Sequence, residues 1–287
     1  MPASAPSFDL YPPFFAGVSL SLALYGTAFA QSIHYFRKYP NDKAYLKFVV
    51  GSLVILQTMH SVCASMSIME FKPLLGLNSV VAIPRTLMIS EFPAYIAMSV
   101  VQFAYSCRVW HLSRRNKLLI STVALFSVSQ LACGITLACD ILQAGQLNSG
   151  LVFFAKQNVI LRTTQLCSSM ACDILIACSL VYFLQISQHT SLSGTRYLIR
   201  NLIVVSFSVG LVTCLFCLLT LITWFASKTT IWSTFHLLTG SCYINSFLVS
   251  LNSRNMLRER RLRWNDSADG VNTFGDYTLT DLRRRLE

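Results

Sequence analysis

Charge is what this sequence has least of. Lys, Arg, Asp and Glu make up 12% of its 287 residues, while 54% are hydrophobic; an ordinary soluble domain is about a quarter charged. So few charges point to lipid as the solvent. There is no Gly-rich loop of the Lys-Ser/Thr type, so nothing cradles a nucleotide phosphate. No His recurs three or four residues from another within a helix, and His34 falls at the opposite side from His60 and His236, so the three-histidine cluster of a seven-helix metal hydrolase cannot assemble. The last apolar block, from Ile231 to Asn252, contains no Lys, which excludes a Schiff-base photoreceptor. No catalytic residue, metal or cofactor is expected, and the chain is not expected to be an enzyme.

Net charge is +11. In a soluble chain that excess would suggest nucleic acid, but here the cations sit in short loops and a tail beside apolar blocks. Anionic lipid is the expected partner, and nucleic acid is not. All ten cysteines fall inside or at the ends of apolar blocks, without the spacing of a disulfide framework or a zinc site. They read as packing residues, with Cys139 and Cys167 as the kind of outer pair that could be bridged.

A hydrocarbon core of about 30 Å needs about 20 apolar residues in a helix. Seven segments meet this length: Phe14 to Tyr35, Tyr45 to Ile68, Leu87 to Trp110, Leu118 to Leu142, Thr163 to Gln185, Asn201 to Phe225 and Ile231 to Asn252. Helices are required because lipid cannot satisfy exposed backbone groups. The predicted fold is therefore an all-α, polytopic seven-helix bundle over residues 14–252, with a short outer N-terminus at 1–13 and a basic, mostly disordered tail at 253–287.

Orientation follows from the cations. With the N-terminus outside, Lys72, Arg85, Lys156, Arg162 and Lys228 lie on the outer side and the other eighteen of the 23 Lys and Arg are cytosolic. Trp224 and Trp232 mark one interface, Trp110 and Trp264 the other. A rival reading takes Ala28-Phe29-Ala30 before Gln31 as a signal-peptidase site, although no Lys or Arg precedes the apolar run. The outer links from Met69 to Thr86 and from Gln143 to Arg162 carry apolar stretches, Leu74 to Ile83 and Leu151 to Phe154. These are expected to fold back over the bundle mouth.

Two stretches carry a resemblance. The first is Leu24-Tyr25-Gly26, Gln31, Tyr35-Phe36-Arg37-Lys38-Tyr39-Pro40-Asn41-Asp42-Lys43, Leu46-Lys47 and His60. The second is Tyr243, Asn245-Ser246, Leu248, Leu251-Asn252-Ser253-Arg254 and Leu257-Arg258. Together they resemble a large, uncharacterised family of seven-helix membrane proteins from basidiomycete fungi, known by a domain-of-unknown-function label. The resemblance implies the fold and is nearly silent on activity. Gln57 departs from it, since an acidic residue is expected three positions before His60. Features of the rhodopsin-like receptors are mostly missing: the end of helix three reads Cys107-Arg108-Val109-Trp110 and helix seven reads Asn245-Ser246-Phe247.

Ionisable groups inside a membrane are costly, so each is a functional hypothesis. Asp173 falls near the midplane of helix five, either as a hydrogen-bonded carboxyl fixing the packing or as part of a polar ligand or cation site. Glu91, Asp140 and Arg162 belong near the outer ends of helices three, four and five. They either neutralise one another or rim an outward pocket continuing to Asp173. His60 and His236 share that outer depth, as hydrogen-bonded packing residues or, less in keeping with their spacing, as haem or metal ligands.

Arg254, Arg258, Arg260, Arg261 and Arg263 form a basic patch expected on the anionic inner leaflet, where a cytosolic signalling partner could also dock. The one N-x-Ser/Thr sequon, Asn265-Asp266-Ser267, falls in this cytosolic tail. The expected function is a receptor-like sensor of a small molecule, with a permease using an intramembrane acid or a structural membrane protein as alternatives. In sealed vesicles, reporters placed at Lys43 and at Glu287 are expected to react from the same face.

Overall fold

The computed structural model describes residues 11–74, 83–113, 115–145, 151–190, 193–226 and 231–253, and among these it has eight helices and no strand. Seven are long: α1 (Tyr11–Lys38), α2 (Ala44–Leu74), α3 (Arg85–Leu112), α4 (Lys117–Gln143), α5 (Lys156–Thr190), α6 (Ser193–Ala226) and α7 (231–253). A short helical piece at 151–153 precedes α5. Five helices, over Pro12–Lys38, Ala44–Glu70, Arg85–Leu112, Lys117–Gln143 and Lys156–Ile186, are long and apolar enough to cross a membrane; α6 contributes a shorter apolar stretch, Gly210–Ala226. The basic patch from Arg254 to Arg263 and the sequon at Asn265 lie outside the described residues.

Lipid as solvent explains the surface. Phe48 is 77% exposed, Phe103 70% and Leu125 68%, and a monomer in water seldom bears so much apolar area. Conversely, the interior collects polar side chains, which have no partner in lipid. α3 has 61% of its most apolar window buried and α4 only 17%, so α3 is an inner helix and α4 a lipid-facing one. α7 escapes the hydropathy criterion for the same reason. Its Ser233, His236, Thr239, Ser241 and Ser250 are all buried, and it makes side-chain hydrogen bonds to α1, α2, α3 and α5.

Expected and observed boundaries differ at α6, which starts at Ser193 rather than Asn201, and at α5, which starts at Lys156 rather than Thr163. Polar residues that look like a loop are satisfied inside the first turns: the Asn158 amide donates to the Val152 carbonyl at 2.8 Å and its N–H to the Ala155 carbonyl at 2.9 Å. With 35 residues α5 is about 52 Å long and exceeds the hydrocarbon core. α2 likewise continues to Leu74, where a loop was expected from Met69. Near its end a Glu70 carboxylate oxygen accepts from the Thr86 N–H at 3.2 Å, supplying the N-terminus of α3 with a negative group that its own N-cap, Pro84, lacks.

All ten cysteines are free, including Cys139 and Cys167. Glycine is needed for close approach at Gly134, where a Cβ would come within 2.8 Å of the Tyr95 ring, and at Gly210, where it would meet the Ala177 Cβ at 2.7 Å. Gly26 and Gly51, by contrast, have nothing within 4 Å of that position.

The residues that carry the resemblance meet along one seam. Thr27 donates to Asn245 Oδ1 at 2.7 Å, and the Asn245 amide donates to the carbonyls of Leu24 and Ser241, each at 2.9 Å. Asn252 reaches the Gln31 carbonyl at 3.0 Å, and the Tyr39 hydroxyl donates to the Asn252 carbonyl at 2.9 Å. Gln57 donates to Ser241 Oγ at 2.7 Å, which lies 2.8 Å from Ser21 Oγ. A neutral amide therefore ties α1, α2 and α7 where an acid was expected. Asn245→Ala leaves Thr27 without its acceptor on α7 and is expected to cost about 1–2 kcal/mol. Thermal unfolding of the purified chain measures the loss, and an unchanged midpoint would show that the seam does not hold α1 in place.

Candidate functional site

Three inner helices each present polar residues on one face at helical spacing. α3 contributes Glu91, Tyr95, Gln102 and Tyr105; α5 contributes Arg162, Gln165, Ser169 and Asp173; α7 contributes His236, Tyr243 and Ser250. Residues three, four or seven apart share a helix face, so these sets form a polar column inside an apolar shell. Two centres stand out along it.

The outer centre joins Glu91, His236 and Arg162, all buried. His236 Nε2 lies 2.7 Å from Glu91 Oε2 and 3.2 Å from Arg162 Nη1. One ring nitrogen cannot donate and accept at once, so the shorter contact fixes its role: Nε2–H donates to the carboxylate. Nδ1 has no partner, and a second ring proton there would be a buried donor without an acceptor, so the ring is neutral. Glu91 and Arg162 then cancel each other's charge across the imidazole. Arg162 Nη1 also donates to the Tyr95 hydroxyl at 3.1 Å, and the guanidinium sits over the Trp232 ring at 5.2 Å and the Phe153 ring at 6.0 Å. His60 Nδ1 donates to the Ser90 carbonyl at 3.0 Å, one turn before Pro93, and its Nε2 has no partner.

An aromatic cover closes this centre. Phe153 is 2% exposed and stacks on Trp232 at 5.3 Å. It meets Trp224 edge-on at 5.2 Å, while Phe154 stacks on Trp224 at 5.8 Å. The 151–154 stretch thus folds back over the bundle, packing Phe153 with Phe14, Leu87, Leu137 and Leu237. Most of the other outer apolar stretch, 75–82, lies outside the described residues; Ile83 at its end packs against the same cluster. The cavity left beside Glu91 and Arg162 is about 10 Å³, too small for an organic ligand unless the cover moves.

The inner centre surrounds Asp173, which is 5% exposed. The Tyr243 hydroxyl donates to Oδ2, the Gln102 amide to Oδ1 at 3.4 Å, and Thr213 adds a further side-chain hydrogen bond. Gln102 is oriented from α4: its Oε1 accepts from Gln130 at 2.6 Å and Ser127 at 2.8 Å, leaving its Nε2 to face Asp173. Below it, Arg108 donates to Ser250 Oγ at 2.9 Å and stacks 5.2 Å from the Tyr105 ring centre.

Of the six residues singled out by depth, Glu91, Arg162 and His236 come together. His60 lies beside them without a direct bond. Asp173 forms its own centre, and half-buried Asp140 makes no side-chain hydrogen bond or ion pair with a described residue. No group of three His, Cys, Asp or Glu suited to a metal ion occurs among the described residues. Missed at first were the neutral members Tyr95, Gln102, Thr213 and Tyr243. Gln102, Gln130 and Gln165 in otherwise apolar runs were the available signal.

Residues 169–256 match a family of unknown function (DUF6534). No curated protein and no solved structure matches the chain. The matched stretch contains Asp173, Thr213, His236 and Tyr243, whereas Glu91, Gln102 and Arg162 precede it.

Removing one member of the outer centre leaves an uncompensated buried charge. Glu91→Gln or Arg162→Met alone is expected to cost about 3–5 kcal/mol, the double variant less than the sum, and Asp140→Asn within about 0.5 kcal/mol of nothing. Denaturation of the four variants in detergent measures this, and additive costs would separate Glu91 from Arg162.

Proposed function

We propose that this chain is a seven-helix membrane sensor, with its N-terminus outside and its C-terminus cytosolic, that takes a small polar molecule at the Glu91–His236–Arg162 centre. The observation behind this reading is a charged centre contributed by α3, α5 and α7 whose buried nitrogens His60 Nε2, His236 Nδ1 and Arg162 Nε lack partners, beneath a cover of aromatic rings. Unsatisfied polar atoms at such a depth are expensive, and a ligand supplying donors and acceptors relieves that cost. Binding there displaces Phe153 and Trp232. Because His236 and Trp232 sit on α7, it also shifts the helix that touches most of its neighbours.

The charge bias of eighteen against five supports the orientation, and the basic patch from Arg254 to Arg263 supplies a cytosolic surface for anionic lipid or a signalling partner. The reading assigns no chemical reaction to the chain. A second reading, a permease, draws on the continuation of the polar column from the outer centre past Asp173 to Arg108 and Ser250.

A panel of small carboxylic acids and organic amines, screened for thermal stabilisation of the full chain in nanodiscs, separates the two. The sensor reading expects compounds that stabilise the wild type, lose their effect on Glu91→Gln and bind more tightly to Phe153→Ala, in which part of the cover is gone. Asp173-dependent uptake of the same compounds into proteoliposomes, with no stabilisation through Glu91, would instead make it a permease.

A further inference from the structure

The Asp173 centre contains a feature that the sensor reading does not use. Beside the carboxylate, between α3, α5, α6 and α7, lies a cavity of about 20 Å³ whose polar lining is Asp173, Gln102, Tyr105, Thr213 and Tyr243. A cavity needs about 10–15 Å³ to admit a body the size of a water molecule, so this one holds a single such body. Gly210 lines it, and a Cβ there would meet the Ala177 Cβ at 2.7 Å.

The charge around it is lopsided. Among the described residues Asp173 is the one carboxylate in the lining, and no Lys, Arg or His is among those that line the cavity or hydrogen-bond to Asp173. Gln102 faces it as a fixed donor, because both of its oxygen's bonds come from α4. With no basic partner among the described residues, an ionised Asp173 is a buried negative charge, which low dielectric makes costly until a proton or a cation is placed beside it.

We infer that this cavity binds one alkali-metal cation, held by Asp173 with hydroxyl oxygens of Thr213 and Tyr243. Hard cations take oxygen ligands of this kind. A single carboxylate matches a single positive charge, whereas divalent sites of this hardness usually gather more acidic oxygens. The ion would tie α5, α6 and α7 together, since its ligands come one from each. This inference does not rest on the outer centre, because Glu91 and Arg162 already neutralise each other there.

The test is the thermal stability of the full chain in nanodiscs, in NaCl, KCl or choline chloride at equal ionic strength. The midpoint is expected to rise by several degrees, and to saturate, with Na⁺ or K⁺ but not with choline. Asp173→Asn is expected to remove the dependence while folding normally, since an amide fills the same space without the charge, and Thr213→Val to shift it to higher salt. Asp140→Asn, a carboxylate outside both centres, should leave it intact, and because the assay contains no organic ligand its failure is distinct from failure of the sensor reading. Equal midpoints in all three salts, or a cation effect that survives in Asp173→Asn, would overturn the assignment. So would stabilisation of the wild type by acid alone in choline chloride, which would place a proton on Asp173 instead.

Discussion

The contact between the Glu91 carboxylate, the His236 imidazole and the Arg162 guanidinium constrains how three helices of this bundle can sit. In lipid none of these groups has an external partner, and each is expensive to bury alone. Together they cancel charge, and they can do so in one arrangement of α3, α5 and α7. Much of the remaining architecture supports that arrangement. Gly134 lets the Tyr95 ring lie flat against α4 beneath the guanidinium, and the aromatic rings of Phe153, Trp224 and Trp232 exclude water above it. The seam of Asn245 and Asn252 ties α7 to α1 on its other side.

A polar interior within an apolar exterior inverts the usual distribution of a soluble protein, and it accounts for α7. That helix buries many polar side chains because its neighbours act as its solvent. Ser241, Asn245 and Tyr243 make directional bonds that neither slide nor rotate freely, so a displacement of α7 must exchange one set of partners for another.

Helices were legible in the sequence wherever twenty apolar residues ran together, and depth along those helices put Glu91, Asp140, Arg162, His60 and His236 at one level, of which Glu91, Arg162 and His236 come into contact. Depth does not reveal azimuth. Asp140 shares their level, but the buried positions around it are Leu137, Ala138 and Ile141, which leave its side chain off the polar column. Hydropathy also misplaced the start of α5, because Asn158 and Arg162 count as loop residues until their internal partners are known. The neutral groups that complete both centres, Tyr95, Gln102, Thr213 and Tyr243, carry no charge to draw notice, and only packing brings them to Arg162 and Asp173.

Solid-state NMR of the full chain in lipid bilayers, with labelled Glu, His and Arg side chains, observes the central contact directly. A through-space correlation between the Glu91 carboxyl carbon and a His236 ring nitrogen, with Arg162 guanidinium nitrogens close to the same ring, is the predicted result. A His236 ring correlated with lipid or water and with neither Glu91 nor Arg162 would contradict the account.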